Sequence, residues 1–185
     1  MISDRLNIFK VSIYTPDEIK YINEFLEKQE SQTQDVKEGA ENVTKKGKFS
    51  FYRADSLLEV LYPWLYTCQQ VNREQFGYHI YWDFHLETIN HNIYEKDDMY
   101  DWHIDAEKKS HHIDTKLTCL LNISNEEYEG GKFHIVGVGK DNKNAYTFEP
   151  GSALVFNSLI AHKVDPVTKG KRQTLTYWAK GPAWR

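Results

Sequence analysis

Hydrophobic residues recur at helical spacing near the beginning of the chain. Ahead of them, Thr15 can cap a helix, Pro16 suits the first helical position, and Glu18 completes a capping box. The apolar positions that follow lie three or four residues apart: Ile19, Ile22, Phe25 and Leu26. This spacing predicts an amphipathic helix whose apolar face packs against the rest of the protein.

A second apolar stripe at helical spacing begins near Asp55 or Ser56 and continues to Val71. Pro63 lies within it, and proline removes a backbone donor and clashes with the preceding turn, so we expect a kink or a break there. Between the two predicted helices, residues 30–48 are polar and contain two glycines. This composition predicts a long loop, which is either a lid over a ligand or a disordered connector.

From residue 78 onward the hydrophobic period changes from helical to alternating, which is typical of strands. The predicted strands cover residues 81–94, 116–123, 132–138, 145–148, 153–156 and 173–180. Turn-forming residues separate them, and no helical pattern lies between them. Short strands at this spacing favour a mainly β protein with a double-stranded β-helix core, the jelly-roll architecture shared with cupins, supported by the two N-terminal helices.

The bulk composition fits one domain over residues 1–185, with mainly helical support in 1–77 and a jelly-roll core in 78–185. The formal net charge of −4 provides no general attraction for nucleic acid. Cys68 and Cys119 lie within apolar patterns and predict reduced thiols rather than a disulfide framework. Because no stretch resembles a signal peptide or a membrane span, the expected location is the cytoplasm.

The segment His103-Ile104-Asp105 carries the first candidate chemistry. Residues i and i+2 of an extended segment point to the same side, so an imidazole and a carboxylate can reach one metal ion. His162 can add a second imidazole from another strand, and this donor set suits Fe(II) while leaving coordination positions open. Arg172, ten residues further on, is suited to bind the far carboxylate of a 2-oxo acid.

A second copy of the motif, His112-Ile113-Asp114, has the same spacing. Its neighbours are mostly charged and predict a solvated loop, whereas aromatic and polar residues that suit a co-substrate pocket precede the first copy. This context favours the first pair. The remaining histidines are expected to be structural: His79, His85, His91, His111 and His134.

The order and spacing of these motifs resemble those of the Fe(II)/2-oxoglutarate dioxygenases, in particular the prolyl 4-hydroxylase-like group of bacterial and phage type. The matching segments are residues 92–94, 102–105, 116–120, 128–133, 150–156 and 162–172. The resemblance implies that His103, Asp105 and His162 bind the iron and carry the catalysis. The residues that it implies for 2-oxoglutarate binding are Arg172, Tyr94 and Thr174. Lys171 is a rival of Arg172 for the anion, and as its neighbour it is expected to face away if the strand has already begun.

The implied reaction is hydroxylation of an unactivated C–H bond, with Fe(II), 2-oxoglutarate and O2 required, ascorbate allowed as an accessory reductant, and succinate and CO2 released. The implied substrate is a peptidyl proline or another protein residue, so a peptide or protein partner is expected, but neither a membrane nor nucleic acid. The alternatives are oxidative demethylation of nucleic acid, hydroxylation of a small molecule, and a cupin-like metal-binding module without turnover.

Two features bear on ligand binding beyond these motifs. Some prolyl hydroxylases carry a tyrosine that reaches the co-substrate from the strand equivalent to 116–123, and this chain has none there. Tyr100 and Trp102 can supply an aromatic groove for an extended peptide. We expect Trp178 to belong to the core instead and Trp184 to anchor the end of the chain.

Overall fold

The computed structural model describes residues 8–36, 44–85, 87–106, 112–136, 145–146 and 148–184. These residues form two α-helices, α1 (Pro16–Leu26) and α2 (Leu58–Val71), and thirteen strands. The strands are β1 (Ile8–Ser12), β2 (Gln32–Val36), β3 (Lys45–Arg53), β4 (Thr88–Tyr94), β5 (Met99–His103), β6 (Ile113–Asn122), β7 (Glu129–Gly130), β8 (Phe133–Ile135), β9 (Ala145–Tyr146), β10 (Ser152–Asn157), β11 (His162–Val164), β12 (Val167–Lys169) and β13 (Arg172–Pro182).

Most of the strands belong to one curled antiparallel sheet with the order β1-β10-β6-β13-β4-β3-β5-β11-β8-β9, and β2 pairs with β3. Strand β3 joins the two halves of this sheet. Its later residues pair with β4, whereas Lys45 and Lys46 at its start pair with β5. A short ribbon of β7 and β12 lies apart. The mainly β, jelly-roll fold that the alternating pattern predicted is thereby confirmed.

The first helix forms as its capping box predicts. The backbone N–H of Glu18 donates to the hydroxyl of Thr15 over 3.4 Å, and the N–H of Thr15 donates to the Glu18 carboxylate over 2.7 Å. Ile19, Ile22 and Leu26 are buried. The predicted amphipathic helix and its inward face are therefore both confirmed.

The second helix continues through Pro63, so the expected break does not occur. The Tyr14 hydroxyl donates to the carbonyl of Val60 over 3.0 Å and accepts from the N–H of Trp64 over 3.2 Å. Those two backbone groups would otherwise pair with each other in a regular helix. Tyr14 thus lies between them beside the proline and keeps both satisfied, which explains why the helix tolerates Pro63.

Alternating residues of β6 divide the protein into a core and a site. Leu117, Cys119 and Leu121 are fully buried in the cluster that contains the apolar faces of both helices. Leu120 belongs to a different cluster and lines a pocket on the opposite face of the sheet. Because side chains alternate along a strand, the helices cover one face and leave the other for ligand binding. Cys68 is buried in the helix-side cluster, and both cysteines are free.

Several strands differ from the prediction. The prediction of a long loop over residues 30–48 is wrong at both ends, because β2 and β3 form there. Residues 37–43, between these strands, lie outside the described chain. The strand expected over 81–94 begins only at Thr88. Within the expected strands 132–138 and 145–148 the described residues form β8 and β9, and residues 137–138 and 147 lie outside the described chain. The unpredicted strand β2, with the sequence Gln-Thr-Gln-Asp-Val, is polar and shows little hydrophobic alternation. Neither helix is long and apolar enough to cross a membrane.

Candidate active site

Two neighbouring strands bring the predicted metal ligands together. His103 ends β5, His162 begins β11, and these two residues are paired in register, with Asp105 two positions past the end of β5. One ligand atom from each of the three lies within 4.8 Å of the other two. Nε2 of His103 is 3.7 Å from Oδ1 of Asp105, and Nε2 of His162 is 3.4 Å from Oδ2. We call these three residues the triad.

Backbone carbonyls orient both imidazoles of the triad. Nδ1 of His103 is 2.7 Å from the carbonyl oxygen of Asp101, and Nδ1 of His162 is 3.0 Å from that of Ile160. A carbonyl only accepts, so each Nδ1 carries the proton and donates it. The lone pair of each ring is thereby left on Nε2, on the side that faces the carboxylate of Asp105. This donor set fits a divalent iron ion.

Aromatic packing fixes the imidazole rings and excludes water from them. The ring of Tyr100 stacks on that of His103, with 3.5 Å between centroids and an angle of 9°. Phe133 and Phe156 lie 5.5 and 5.0 Å from the ring of His162. Burial, helped by the neighbouring His162, lowers the pKa of His103 to about 4. A metal ligand must be neutral imidazole, and this environment favours that form.

A hydrogen bond from Thr118 orients the carboxylate of the triad. Its hydroxyl donates to Oδ2 of Asp105 over 2.6 Å, and the backbone N–H of Asp105 donates to the carbonyl of Ser158 over 3.0 Å. Thr118 is fully buried on β6. The sequence motifs did not predict this contact, although Thr118 occupies a polar position in the otherwise apolar stretch 117–121.

Arg172 is buried in the same pocket with 1% of its surface exposed. Its guanidinium carbon lies 5.6 Å from the ring centroid of Tyr94 and 5.7 Å from that of Phe148. Burial lowers its pKa, no ion pair to it occurs within the described residues, and its Nε has no hydrogen-bond partner there. A buried cation without a counter-charge is costly, so this arrangement suits an anionic ligand.

The glycine turn at residues 130–131 makes room for that guanidinium side chain. Gly131 has a φ of +56°, and a Cβ added there would lie 2.9 Å from Cδ of Arg172. A larger residue at this position would therefore both strain the backbone and press on the arginine.

The remaining predicted ligand-binding residues line the same pocket. Tyr94 pairs in register with Arg172, and Thr174 lies two positions further along β13 on the same face. Lys171 instead forms an ion pair with Glu126, 3.7 Å away and outside the pocket lining. The structure thus brings Tyr94, Arg172 and Thr174 together beside the triad.

The second His-x-Asp motif does not join the triad. His112 is exposed, and the carboxylate of Asp114 accepts a hydrogen bond of 2.7 Å from the N–H of Trp184. Other histidines have structural contacts, as expected: His134 pairs with Asp165 at 2.6 Å and His91 with Gln173 at 3.2 Å. His111 lies outside the described residues.

Polar residues line the pocket beyond the triad: Asn92 belongs to the matching segment 92–94, whereas Asn90 and Thr176 were not predicted. The amide of Asn90 donates to Asn92 over 3.0 Å, and that of Asn92 donates to Thr176 over 2.9 Å. Within the described structure, Oδ1 of Asn90 and Nε1 of Trp178 lack partners. Trp178 is thus part of the pocket wall, and its assignment to the core is wrong. The signal was available, because positions 90, 92 and 94 and positions 174, 176 and 178 each alternate along one strand.

Trp184 anchors the end of the chain as expected. Its ring lies 5.3 Å from that of Tyr78 and packs beneath the ammonium of Lys116, 3.4 Å from the ring centroid. It is therefore separate from the pocket that Trp178 lines.

Sequence comparison identifies relatives over the second half of the chain. The family model of the 2OG-Fe(II) oxygenase superfamily matches residues 89–180. A PKHD-type hydroxylase of Janthinobacterium sp. (strain Marseille) is 32% identical over 95 residues, which cover 48% of this chain and 41% of that protein. One from Gloeothece citriformis (strain PCC 7424) is 34% identical over 98 residues, 51% of this chain and 43% of that protein. The matches thus span about two fifths of these curated relatives.

Solved structures with the same fold cover nearly the whole chain. A prolyl-4-hydroxylase of Pseudomonas putida superposes with a TM-score of 0.69 at 14% identity, covering 95% of this chain and 92% of that one. A viral collagen prolyl hydroxylase of Paramecium Bursaria Chlorella virus-1 gives a TM-score of 0.64 at 14% identity, over 98% and 99%. These structural similarities support the fold alone. The family model, which matches at the level of sequence, shows that the chain belongs to the 2OG-Fe(II) oxygenase superfamily.

Proposed function

We propose that this protein is an Fe(II)- and 2-oxoglutarate-dependent dioxygenase that hydroxylates a protein side chain, with a peptidyl proline as the first candidate. The observation that carries this proposal is the convergence of the triad and the buried Arg172 on one pocket. A metal-binding module without turnover has no use for a buried guanidinium beside its metal. Membership of the superfamily supports the same conclusion.

Each residue of the pocket has a distinct task in this proposal. His103, Asp105 and His162 would hold the iron, which when bound supplies the oxidative chemistry that couples decarboxylation of 2-oxoglutarate to substrate oxidation. Arg172 would bind the distal carboxylate of 2-oxoglutarate through charge-assisted hydrogen bonds. Burial raises the pKa of Tyr94, so its phenol stays protonated and can donate to the same ligand. The hydroxyl of Thr174 adds a further donor or acceptor.

Exposed apolar residues around the triad support a protein substrate. Trp102 and Ile104 flank His103 in the sequence. Leu159 follows Ser158, whose carbonyl accepts a hydrogen bond from the N–H of Asp105. The N–H of Val136 donates to the carbonyl of Ala161, the residue before His162. All four apolar side chains are among the exposed large hydrophobic residues, and none of them belongs to the lining of the pocket: Trp102, Ile104, Val136 and Leu159. Apolar surface beside a binding site is typical of protein or peptide docking.

The prolyl candidate rests on structural neighbours. Besides the two prolyl hydroxylases above, a prolyl hydroxylase from Trichoplax adhaerens superposes with a TM-score of 0.66 at 14% identity, over 95% of this chain and 84% of that one. That structure holds a peptide fragment of a hypoxia-inducible factor. The fold can thus present its pocket to an extended peptide.

An anaerobic titration tests the reaction class. We expect Fe(II) and 2-oxoglutarate together to produce a weak visible charge-transfer band that neither produces alone, and succinate to form once O2 is admitted. Absence of both the band and succinate would overturn the proposal. For the substrate, mass spectrometry of a peptide panel that contains proline or lysine should find a mass gain of one oxygen atom.

A further inference from the structure

Lys45 is a second cation in the pocket, and the sequence motifs do not account for it. It begins β3 where the two halves of the sheet join, and it pairs in register with Tyr100. Its Nζ lies 3.6 Å from the ring centroid of Phe49 and 4.8 Å from that of Tyr100. Because the ring of Tyr100 stacks on His103, this ammonium group lies beside the triad.

The ammonium of Lys45 has aromatic neighbours and interacts electrostatically with the carboxylate of Asp105 without forming an ion pair with it. The described residues include no ion pair to it, and burial lowers its pKa to about 8, so at neutral pH it is still charged. Lys48, three residues along the same strand, is exposed to solvent and bears no such cost. Cation–π contacts recover part of the lost hydration, but a half-buried ammonium retains donors for an anion.

The loaded pocket carries one net positive charge. Fe(II), Arg172 and Lys45 together bring four positive charges, whereas 2-oxoglutarate and Asp105 bring three negative charges. No other charged carboxylate lines the pocket among the described residues. In a site of low dielectric constant, an additional anion that binds at Lys45 is therefore favoured.

We propose that Lys45 is a specificity-determining residue that binds a carboxylate of the primary substrate close to the oxidised residue. This inference rests on the proposed function and deepens it, because it defines the substrate as an acidic peptide segment. The carboxylate comes from an aspartate or glutamate side chain or from the carboxyl terminus of the peptide.

Selection from a random peptide library tests this assignment without knowledge of the target. Immobilised protein loaded with Fe(II) and 2-oxoglutarate under argon is exposed to two libraries, one with free and one with amidated carboxyl termini. The bound peptides are identified by mass spectrometry. We expect the wild-type protein to enrich aspartate and glutamate by at least about tenfold, equivalent to ~1.4 kcal/mol, over lysine and arginine. Retention of this preference in the amidated library assigns the carboxylate to a side chain, and its loss assigns it to the terminus.

Charge reversal provides the decisive comparison. Lys45→Glu should favour basic peptides, Lys45→Met should show no charge preference, and Lys48→Glu, which makes the same change in net charge on the same strand, should bind as the wild type does. The proposal is overturned if all four proteins select the same peptides, if acidic residues are not enriched, or if no peptide binds.

The visible band separates this proposal from the proposed function. Wild-type protein without the band contradicts the proposed function itself. A normal wild-type band with affinity for 2-oxoglutarate at least about tenfold weaker in Lys45→Met shows that Lys45 serves the co-substrate, and only the Lys45 proposal is then overturned. Unchanged bands in both Lys45 variants, together with the reversed peptide preference, support it.

Discussion

The hydroxyl of Thr118 donates a hydrogen bond of 2.6 Å to Oδ2 of Asp105, which links a fully buried residue of β6 to the carboxylate of the triad. The same oxygen lies 3.4 Å from Nε2 of His162. A buried side chain on the site face of β6 thus sets the direction in which the carboxylate points. This contact gives the first prediction.

Thr118→Val should weaken Fe(II) binding by roughly 10–100-fold, because loss of a hydrogen bond to a metal ligand leaves that ligand free to rotate. Thr118→Ser keeps the hydroxyl and should retain most of the affinity. Both can be measured by anaerobic titration of Fe(II). Equal affinities for the valine and serine variants would show that Thr118 has only a packing role.

Arg172→Met should bind iron normally but weaken 2-oxoglutarate by on the order of 100-fold, about 3 kcal/mol, because it removes the buried cation that faces the distal carboxylate. Lys171→Met is the matched control, since Lys171 pairs with Glu126 outside the pocket. Calorimetric titration of the iron-loaded protein measures both affinities. A larger loss of 2-oxoglutarate affinity in Lys171→Met than in Arg172→Met would mean that Lys171, and not Arg172, binds the co-substrate.

His103→Ala should abolish stoichiometric Fe(II) binding, whereas His112→Ala should leave it within about twofold of the wild type. Only His103 shares its ligand geometry with Asp105 and His162 among the described residues. Metal content after anaerobic loading and desalting measures the difference. Iron loss in His112→Ala alone would favour the second His-x-Asp motif.

Tyr14→Phe should lower the free energy of unfolding by about 1–3 kcal/mol, because it removes two hydrogen bonds to the helix backbone, and the ring of Pro63 opposes the closer approach by which the carbonyl of Val60 and the N–H of Trp64 would pair directly. Tyr21→Phe is the control, as Tyr21 is exposed and its hydroxyl is 3.5 Å from Glu59. Urea unfolding of the two variants checks this. Similar small effects at both sites would contradict the role of Tyr14 in the helix.

His91 should make stability depend on pH. Burial lowers its pKa to about 4, so between about pH 4 and its usual value near 6.5 the unfolded chain binds the proton and the folded protein does not. Stability should therefore fall as pH decreases through this interval, with a contribution of up to about 3 kcal/mol.

His91→Gln removes this titration. As pH falls, the free energy of unfolding of the variant should therefore decrease less steeply than that of the wild type, by up to about 1.4 kcal/mol per pH unit. Both proteins are compared without metal, so that proton competition at an iron site does not contribute. Parallel pH profiles for the two proteins would show that His91 does not titrate differently on folding.

Much of the candidate site was predictable because its elements are local or pairwise. The His-x-Asp spacing follows from strand geometry, and the ten residues from His162 to Arg172 bring a cation on β13 into the same pocket. Thr118, Lys45 and Trp178 were not predicted as parts of the site. Each lies on a strand that pairs with strands far away in the sequence, and this pairing decides which of its side chains point into the pocket.

The sequence by itself determined the first helix, the alternation of the later strands and the residue types that a ferrous site needs. These depend on contacts within a few residues or on the chemistry of single side chains. Only the tertiary structure decided that residues 45–53 form a strand, that one His-x-Asp pair meets His162, and that Lys45 lies beside them. Strand pairing satisfies backbone donors and acceptors with partners distant in sequence, so local hydrophobic patterns do not specify it.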